Sequence, residues 1–348
     1  MLKLQKENKV KKGIDMRVLV TGGTGYIGSH TAVELIKRGN EVIIADNLSN
    51  SQENVIDKIK EITGVKPKFY LTELTNREET EKLFKENKFD AVIHFAGLKA
   101  VGESCLKPLM YYNNNLTSSI ILAETMAKYG CKKLIFSSSA TVYGEPERVP
   151  IKEDFPLSTT NPYGTTKLMI ERIYTDLVKA DPEWNVTLLR YFNPIGAHDS
   201  GLIGEKPNGI PNNLMPYIVK VAAGELYQLS VFGNDYPTHD GTGVRDYIHV
   251  TDLALGHVAA LEKVAESGVH VYNLGTGTGY SVLDIVKAFE KVNGVKVPYV
   301  ITNRRPGDIP ECVADPTKAY EELGWKTVYG LEEMCRSSWH FLEKMREN

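Results

Sequence analysis

The chain has 348 residues and a mass of 38.8 kDa, room for about two domains at roughly 150 residues each. Hydrophobic residues make up 42% and charged residues 24%, which excludes a disordered polar chain. Its 41 basic and 44 acidic residues leave a net charge of −3, with no basic excess for nucleic acid or an anionic membrane and no stretch near the ~20 apolar residues of a membrane span.

Residues 1–15 are lysine-rich (Lys3, Lys6, Lys9, Lys11, Lys12) and lack an apolar h-region, so a loosely held extension is expected and not a secretory signal. From Met16 onward β-branched runs alternate with helical patterns. Strands are predicted at Arg17–Thr21, Glu41–Asp46, Lys68–Leu71, Ala91–Phe95, Lys133–Ser138 and Val186–Tyr191, with helices near 27–39, 52–62, 76–88, 104–129 and 161–180. Val18-Leu19-Val20 and Leu134-Ile135-Phe136 are apolar on both faces, as parallel strands between two helical layers must be. The expected fold is α/β, a doubly wound parallel sheet of Rossmann type. Beyond residue 192 the rhythm breaks into Gly/Pro-rich loops such as Gly196–Pro211 and Gly233–Gly243. That change predicts a smaller C-terminal α/β substrate lobe, interleaved with the first, residues 233–260 being the segment expected to return. Cys105, Cys131, Cys312 and Cys335 lie far apart without a Cys-x-x-Cys, which fits a reducing cytoplasm. The eight histidines show no ligand spacing, so no metal is expected.

Thr21-Gly22-Gly23-Thr24-Gly25-Tyr26-Ile27-Gly28 follows the first strand and opens a helix. Gly22 permits the turn, Gly25 lets backbone N–H groups approach a pyrophosphate, and Gly28 packs helix on strand. Eighteen residues past Gly28 the second strand ends in Asp46, near the ~20 expected for a ribose-binding carboxylate. Such an acid accepts a 2′-hydroxyl and repels a 2′-phosphate, so the cofactor is expected to be NAD, held by residues 16–191.

Tyr163 and Lys167 form Tyr-x-x-x-Lys, one helical turn apart, and Ser137-Ser138-Ser139 ends the fifth strand. By spacing alone the pair also fits a surface tyrosine lying on a lysine stem. Joined to the glycine loop, it reads as a proton-abstracting site beside a hydride acceptor. A phenol of ordinary pKa near 10 is a poor base. The Lys167 ammonium and a positive nicotinamide are expected to lower it by several units, each ~1.4 kcal/mol. Ser139 would hydrogen-bond the reacting hydroxyl.

These motifs resemble the extended short-chain dehydrogenase/reductase superfamily. Longer strings are similar to the UDP-glucose (UDP-galactose) 4-epimerases: His94-Phe95-Ala96-Gly97-Leu98-Lys99-Ala100-Val101-Gly102-Glu103-Ser104, Ser137 to Gly144, Arg190-Tyr191-Phe192-Asn193-Pro194, Gly209 to Tyr217, Gly233 to Thr238 and Thr242 to Val250. The likeness runs from Met16 nearly to the end. It implies a homodimer, joined through the helices near 104–129 and 161–180. It also implies tightly bound NAD and a UDP-hexose oxidised at carbon 4 by Tyr163 and the nicotinamide, then turned over as a 4-keto sugar and reduced on its other face. Tyr26, Ile27, Asn47, Asn50, Ser51, Glu73, Leu74, Phe95, Ala96, Gly97, Lys99, Asn114, Ser137 and Tyr191 would line the cofactor cleft, with Lys167 on the nicotinamide ribose. Phe192, Asn193, Asn213, Leu214, Val231, Phe232, Arg245, Tyr247, Arg305 and Asp308 would surround the UDP of the substrate, within a lobe formed mainly by residues 192–348. Lys99, Ser139 and Tyr163 would face the sugar nucleotide. The two arginines suit a diphosphate, because a planar guanidinium fork matches phosphate oxygens.

Two positions depart from the family pattern. Glu73-Leu74 stands where Asp followed by Ile or Val is usual, which adds a methylene at the hold on adenine. Cys312 replaces a tyrosine found in some relatives against the hexose 2-substituent, and its smaller volume leads to the expectation that N-acetylhexosamine nucleotides are also epimerised. Two other readings stay open here. A 4,6-dehydratase would need an extra acid beside Ser139, where Ala140 and Thr141 stand, and an NAD-sensing protein would need neither Tyr163 nor Lys167.

Overall fold

The computed structural model describes residues 15–347 except 208, 210 and 306, so most of the lysine-rich segment lies outside the described residues. The strands in chain order are β1 (Arg17–Thr21), β2 (Glu41–Asp46), β3 (Lys68–Leu71), β4 (Ala91–His94), β5 (Lys133–Ser139), β6 (Asn185–Tyr191) and β7 (Asn193–Ile195). Then follow β8 (Leu229–Phe232), β9 (Val244–His249), β10 (Gly268–Leu274), β11 (Gly279–Ser281), β12 (Tyr299–Thr302) and β13 (Glu311–Cys312). The helices are α1 (Tyr26–Lys37), α2 (Val55–Thr63), α3 (Arg77–Glu86), α4 (Val101–Leu106), α5 (Pro108–Lys128) and α6 (Pro162–Ala180). After them come α7 (Leu214–Ala222), α8 (Val250–Lys263), α9 (Val282–Asn293), α10 (Thr317–Leu323) and α11 (Leu331–Glu347).

Seven strands form one parallel sheet in the order β10-β6-β5-β4-β1-β2-β3. Its faces alternate as the sequence requires. Val18 and Val20 point into one core with residues of α1 and α8, whereas Leu19, between them, points into the other with residues of α5 and α6. The doubly wound fold is therefore as expected. The smaller sheet centres on β9, which pairs antiparallel with β11 and parallel with β7 and β13. A separate parallel pair, β8 and β12, lies beside it. Helices α7, α9 and α11 close a third core around Ile218, Phe289, Met334 and Cys335.

The chain passes between the sheets within single residues. Strand β6 ends at Tyr191 in the large sheet and β7 begins at Asn193 in the small one; β9 ends at His249 and α8 returns to pack on α1. One expectation is corrected: the helix near 104–129 is two helices. Lys107 precedes Pro108 and adopts φ −130°, ψ 54°, because the proline ring disfavours a helical residue before it, while Pro108 fits the first turn of α5.

Candidate active site

The strand order reverses between β1 and β4, and a crevice opens there at the carboxyl ends. Gly22 follows β1 with φ +68°, and a Cβ on it would lie 2.8 Å from the Ala96 nitrogen beyond β4. A Cβ on Gly28 would lie 2.3 Å from the Gly22 carbonyl oxygen. Only glycine lets loop and helix come this close, leaving a cradle at the α1 N-terminus that fits a pyrophosphate. Asp46 is set by its neighbours: Oδ2 accepts from the Thr24 N–H at 3.1 Å, and Oδ1 from the Leu48 N–H at 2.9 Å and the Ser51 hydroxyl at 3.2 Å. The extra methylene of Glu73 lets its carboxylate fold back onto Asn47 Nδ2 at 2.7 Å and onto Thr75. Burial works to raise the Glu73 carboxyl, but these hydrogen bonds together outweigh it and hold it below the ordinary range.

Helix α6 starts with Asn161 capping the Gly164 N–H at 2.9 Å and Pro162 in its first turn, which sets Tyr163 and Lys167 facing β5. The Lys167 ammonium donates to the Ser137 carbonyl at 2.7 Å and lies 5.8 Å from the Tyr163 ring centre. The Ser139 hydroxyl is near enough to the Tyr163 phenol to favour its anion, and Ser137 bonds the Tyr191 phenol. Burial pushes Tyr163 up to about 12 despite Ser139, and lowers Lys167 to about 8 despite Glu171. In the chain by itself desolvation sets the Tyr163 direction; the lowering expected from Lys167 together with a positive nicotinamide belongs to the cofactor-bound site.

Beneath the site runs a buried polar network with no sequence signature. Glu171, one turn beyond Lys167, accepts from Arg190 Nε at 3.0 Å and from a terminal nitrogen at 2.7 Å, and binds the Ser138 hydroxyl. Arg190 also donates to the Tyr143 hydroxyl and the Glu153 carbonyl, each at 3.0 Å. Asn115 is a second residue that sequence reasoning missed. It clasps both backbone groups of Leu98 and the Thr166 hydroxyl, tying the loop after β4 to α6. Three consecutive asparagines, 113–115, are the only sequence hint of it.

On the opposite wall, Arg305 lies 4.5 Å above the Phe232 ring and binds Asp308 at 3.0 Å. Arg245 donates to the Val244 carbonyl at 2.8 Å and stands beside Cys312 in the β9–β13 register. Burial lifts the Cys312 thiol to about 11, so it is neutral. Glu205, absent from the expected set, binds Lys99 at 3.2 Å and Asn213 at 2.8 Å. Every residue the sequence analysis named for cofactor, chemistry and nucleotide lines one continuous cavity of about 1370 Å³. Elsewhere, His239, Asp240 and Asp284 bring three side chains of metal-ligating type within 4.8 Å of one another, with Ser281 and Thr242 already bonded to both Asp240 oxygens and Ser281 to one of Asp284.

A glycine loop at the switch point, facing a Tyr-x-x-x-Lys helix and a strand-end serine, defines a member of the extended short-chain dehydrogenase/reductases. A family model described as GDP-mannose 4,6 dehydratase matches residues 19–338. The chain is 66% identical over 327 residues to a UDP-glucose 4-epimerase of Bacillus subtilis, covering 94% of this chain and 96% of that one. A UDP-glucose 4-epimerase of Pasteurella multocida is 58% identical over 331 residues, covering 94% and 98%. The crystal structure of the Bifidobacterium longum UDP-glucose 4-epimerase, in complex with NAD+ and UDP, superposes with a TM-score of 0.92 at 55% identity, covering 94% and 98%. The chain belongs to the family of that model and, within it, to the UDP-glucose 4-epimerases.

Proposed function

We propose that this protein interconverts UDP-glucose and UDP-galactose with NAD held in the glycine cradle. The observation that carries the reading is that Ser139, Tyr163 and Lys167 line one cavity with that glycine cradle and with Arg245 and Arg305. NAD, when bound, supplies reversible hydride acceptance at sugar carbon 4, by way of a transient 4-ketone. Ser139 holds the 4-hydroxyl, and Tyr163 takes its proton and later returns it. Lys167, a cation at pH 7, favours the phenolate and, through Ser137, is fixed to the end of β5. Arg245 and Arg305 grip the diphosphate, so the hexose can turn while the nucleotide stays.

A dehydratase would need an acid where Ala140 and Thr141 stand, and the Thr141 hydroxyl is engaged with Ser139 at 3.0 Å. The relatives matched over 94% of the chain are UDP-glucose 4-epimerases, which supports the epimerase reading over the dehydratase one. We further propose that residues 16–191, with later segments, form the cofactor domain and residues 192–348 mainly the UDP-sugar lobe. The exposed apolar side chains of Leu106, Leu109, Met110, Ile120 and Met169 on α4, α5 and α6 support a homodimer, which a single-chain mass in sedimentation would refute. Four free cysteines support a cytoplasmic location; disulfide-linked protein isolated from cells would contradict it. Among the described residues no helix is long and apolar enough to cross a membrane.

The test is NMR of UDP-galactose with purified protein and no added cofactor. UDP-glucose should accumulate, and Tyr163→Phe should slow its formation about 10²–10⁴-fold. Equal rates in the two proteins would refute the assignment.

A further inference from the structure

Glu205 stands where the cofactor side and the nucleotide side of the cavity meet. It extends from a hairpin closed by pairing of Ala197 with Gly204, and that hairpin is firmly seated. The Tyr26 hydroxyl donates to the Gly196 carbonyl at 2.6 Å, and the Ala197 N–H donates to Ser337 at 3.2 Å. A Cβ on Gly204 would come within 2.5 Å of the Phe341 ring, so the hairpin lies flush on α11. The carboxylate is thus delivered by a braced element.

Its surroundings are unusual for an acid. A cavity shaped for two diphosphates repels a carboxylate, yet the Glu205 side chain is only 9% exposed there. A single oxygen, Oε1, accepts from both Lys99 and Asn213. Lys99 comes from the loop after β4, on the cofactor side, and Asn213 from the N-terminus of α7, on the nucleotide side. Asn213 occupies the N-cap position, where asparagine side chains ordinarily bond the first turn, but its side chain makes no capping bond and turns to Glu205 instead. Burial and then the charge of Glu205 push the Tyr26 phenol up, which places the carboxylate near the glycine-loop helix as well.

We propose that Glu205 is a positioning residue that couples retention of the dinucleotide to binding of the uridine nucleotide. A lysine ammonium on a flexible stem has three donors, so Lys99 can keep one on Glu205 while another meets a cofactor phosphate. Asn213 is held by the same oxygen in a pose that faces the UDP. Filling either half of the cavity therefore orders the shared oxygen for the other half, and by linkage the effect is reciprocal.

The inference rests on the reading of the cavity as a paired NAD and UDP-sugar site, and its test reads binding directly so that the two can fail separately. Holoenzyme is incubated with and without UDP, and release of NAD is followed with time. In the wild type UDP should slow release, by roughly the 5–150-fold span of ordinary coupling. Glu205→Gln, which keeps an acceptor but loses the charge, should remove most of that protection and raise KM for UDP-galactose more than it lowers kcat. Lys99→Met should do the same, and the double variant should be no worse than either single one. Glu205→Asp, the conservative change, should restore part of the protection and serves if Glu205→Gln does not fold. A variant that merely loosens the fold would lower the melting midpoint yet leave the ratio of release rates with and without UDP unchanged. That unchanged ratio, or additive effects of Glu205 and Lys99, would overturn the proposal while leaving epimerase activity intact. A wild type that fails to epimerise overturns the functional reading instead.

Discussion

Replacing Arg190 by methionine tests the network beneath the site. The guanidinium makes two hydrogen bonds to Glu171, at 3.0 and 2.7 Å, and one each to Tyr143 and the Glu153 carbonyl. Both charged side chains are under 5% exposed. Methionine fills much of the volume but leaves the Glu171 carboxylate buried with the Ser138 hydroxyl as its remaining bonded partner. Breaking one side of a buried pair costs about 3–5 kcal/mol, a large part of the 5–15 kcal/mol that holds a typical protein folded. The thermal midpoint of a chain this long should fall by about 4–7 °C. Adding Glu171→Leu removes the stranded charge, and the double variant should recover most of that loss. Lys179→Met, which breaks an exposed pair with Asp176, should leave the midpoint unchanged. Scanning calorimetry of the four proteins at one concentration decides it. A midpoint for Arg190→Met within about 2 °C of wild type, or a double variant no better than the single one, would refute the reasoning.

Three further outcomes are expected. Gly28→Ala drives a Cβ to 2.3 Å from the Gly22 carbonyl and should yield folded protein without co-purifying dinucleotide, whereas Gly330→Ala, with open space around it, should keep its dinucleotide; nucleotide released by acid is the measurement. Lys167 has its pKa lowered to about 8 from 10.5, so between those values the unfolded chain binds the extra proton and folding gains as pH rises. The stability of wild type relative to Lys167→Met should therefore shift toward wild type from pH 8 to 10.5, by on the order of 3 kcal/mol in urea melts, and a flat difference would count against a buried ammonium. Cys312 lines the cavity, and on the proposal that it faces the hexose 2-substituent UDP-N-acetylglucosamine should also be turned over and Cys312→Tyr should abolish that activity while sparing UDP-galactose; no turnover by the wild type would remove the size argument.

The strands up to Tyr191 are legible in the sequence because each carries apolar residues for two cores, and the glycine loop because backbone approach demands it. The break at Lys107 is legible only once the steric demand of Pro108 is set against an otherwise continuous helical pattern. Strand β10 is not legible: Gly268–Leu274 is half-buried over its first four residues and pairs with β6, over eighty residues earlier. Of the site, the residue types are readable but their electrostatics are not. The Tyr163 shift depends on how far burial outruns the neighbouring Ser139 hydroxyl, a balance no spacing rule expresses. Glu205 lies in a Gly/Pro-rich loop with no periodicity, and its meaning comes only from the two donors that converge on it.

The single-residue crossing at Phe192 joins redox chemistry to nucleotide recognition mechanically. Tyr191 touches Ser137 at the end of the large sheet, while Asn193 opens the strand that pairs with Tyr247. Two virtual bonds of about 3.8 Å separate them, so they can never be more than roughly 7.6 Å apart. Any swing of the smaller lobe must be accommodated at this point and at the other crossings, after His249, after Leu274, after Cys312 and between α10 and α11. With so many tethers the two lobes are stitched together along the crevice, and at Phe192 the stitch is only two residues long, so the end of the large sheet and the start of the small one move as one piece.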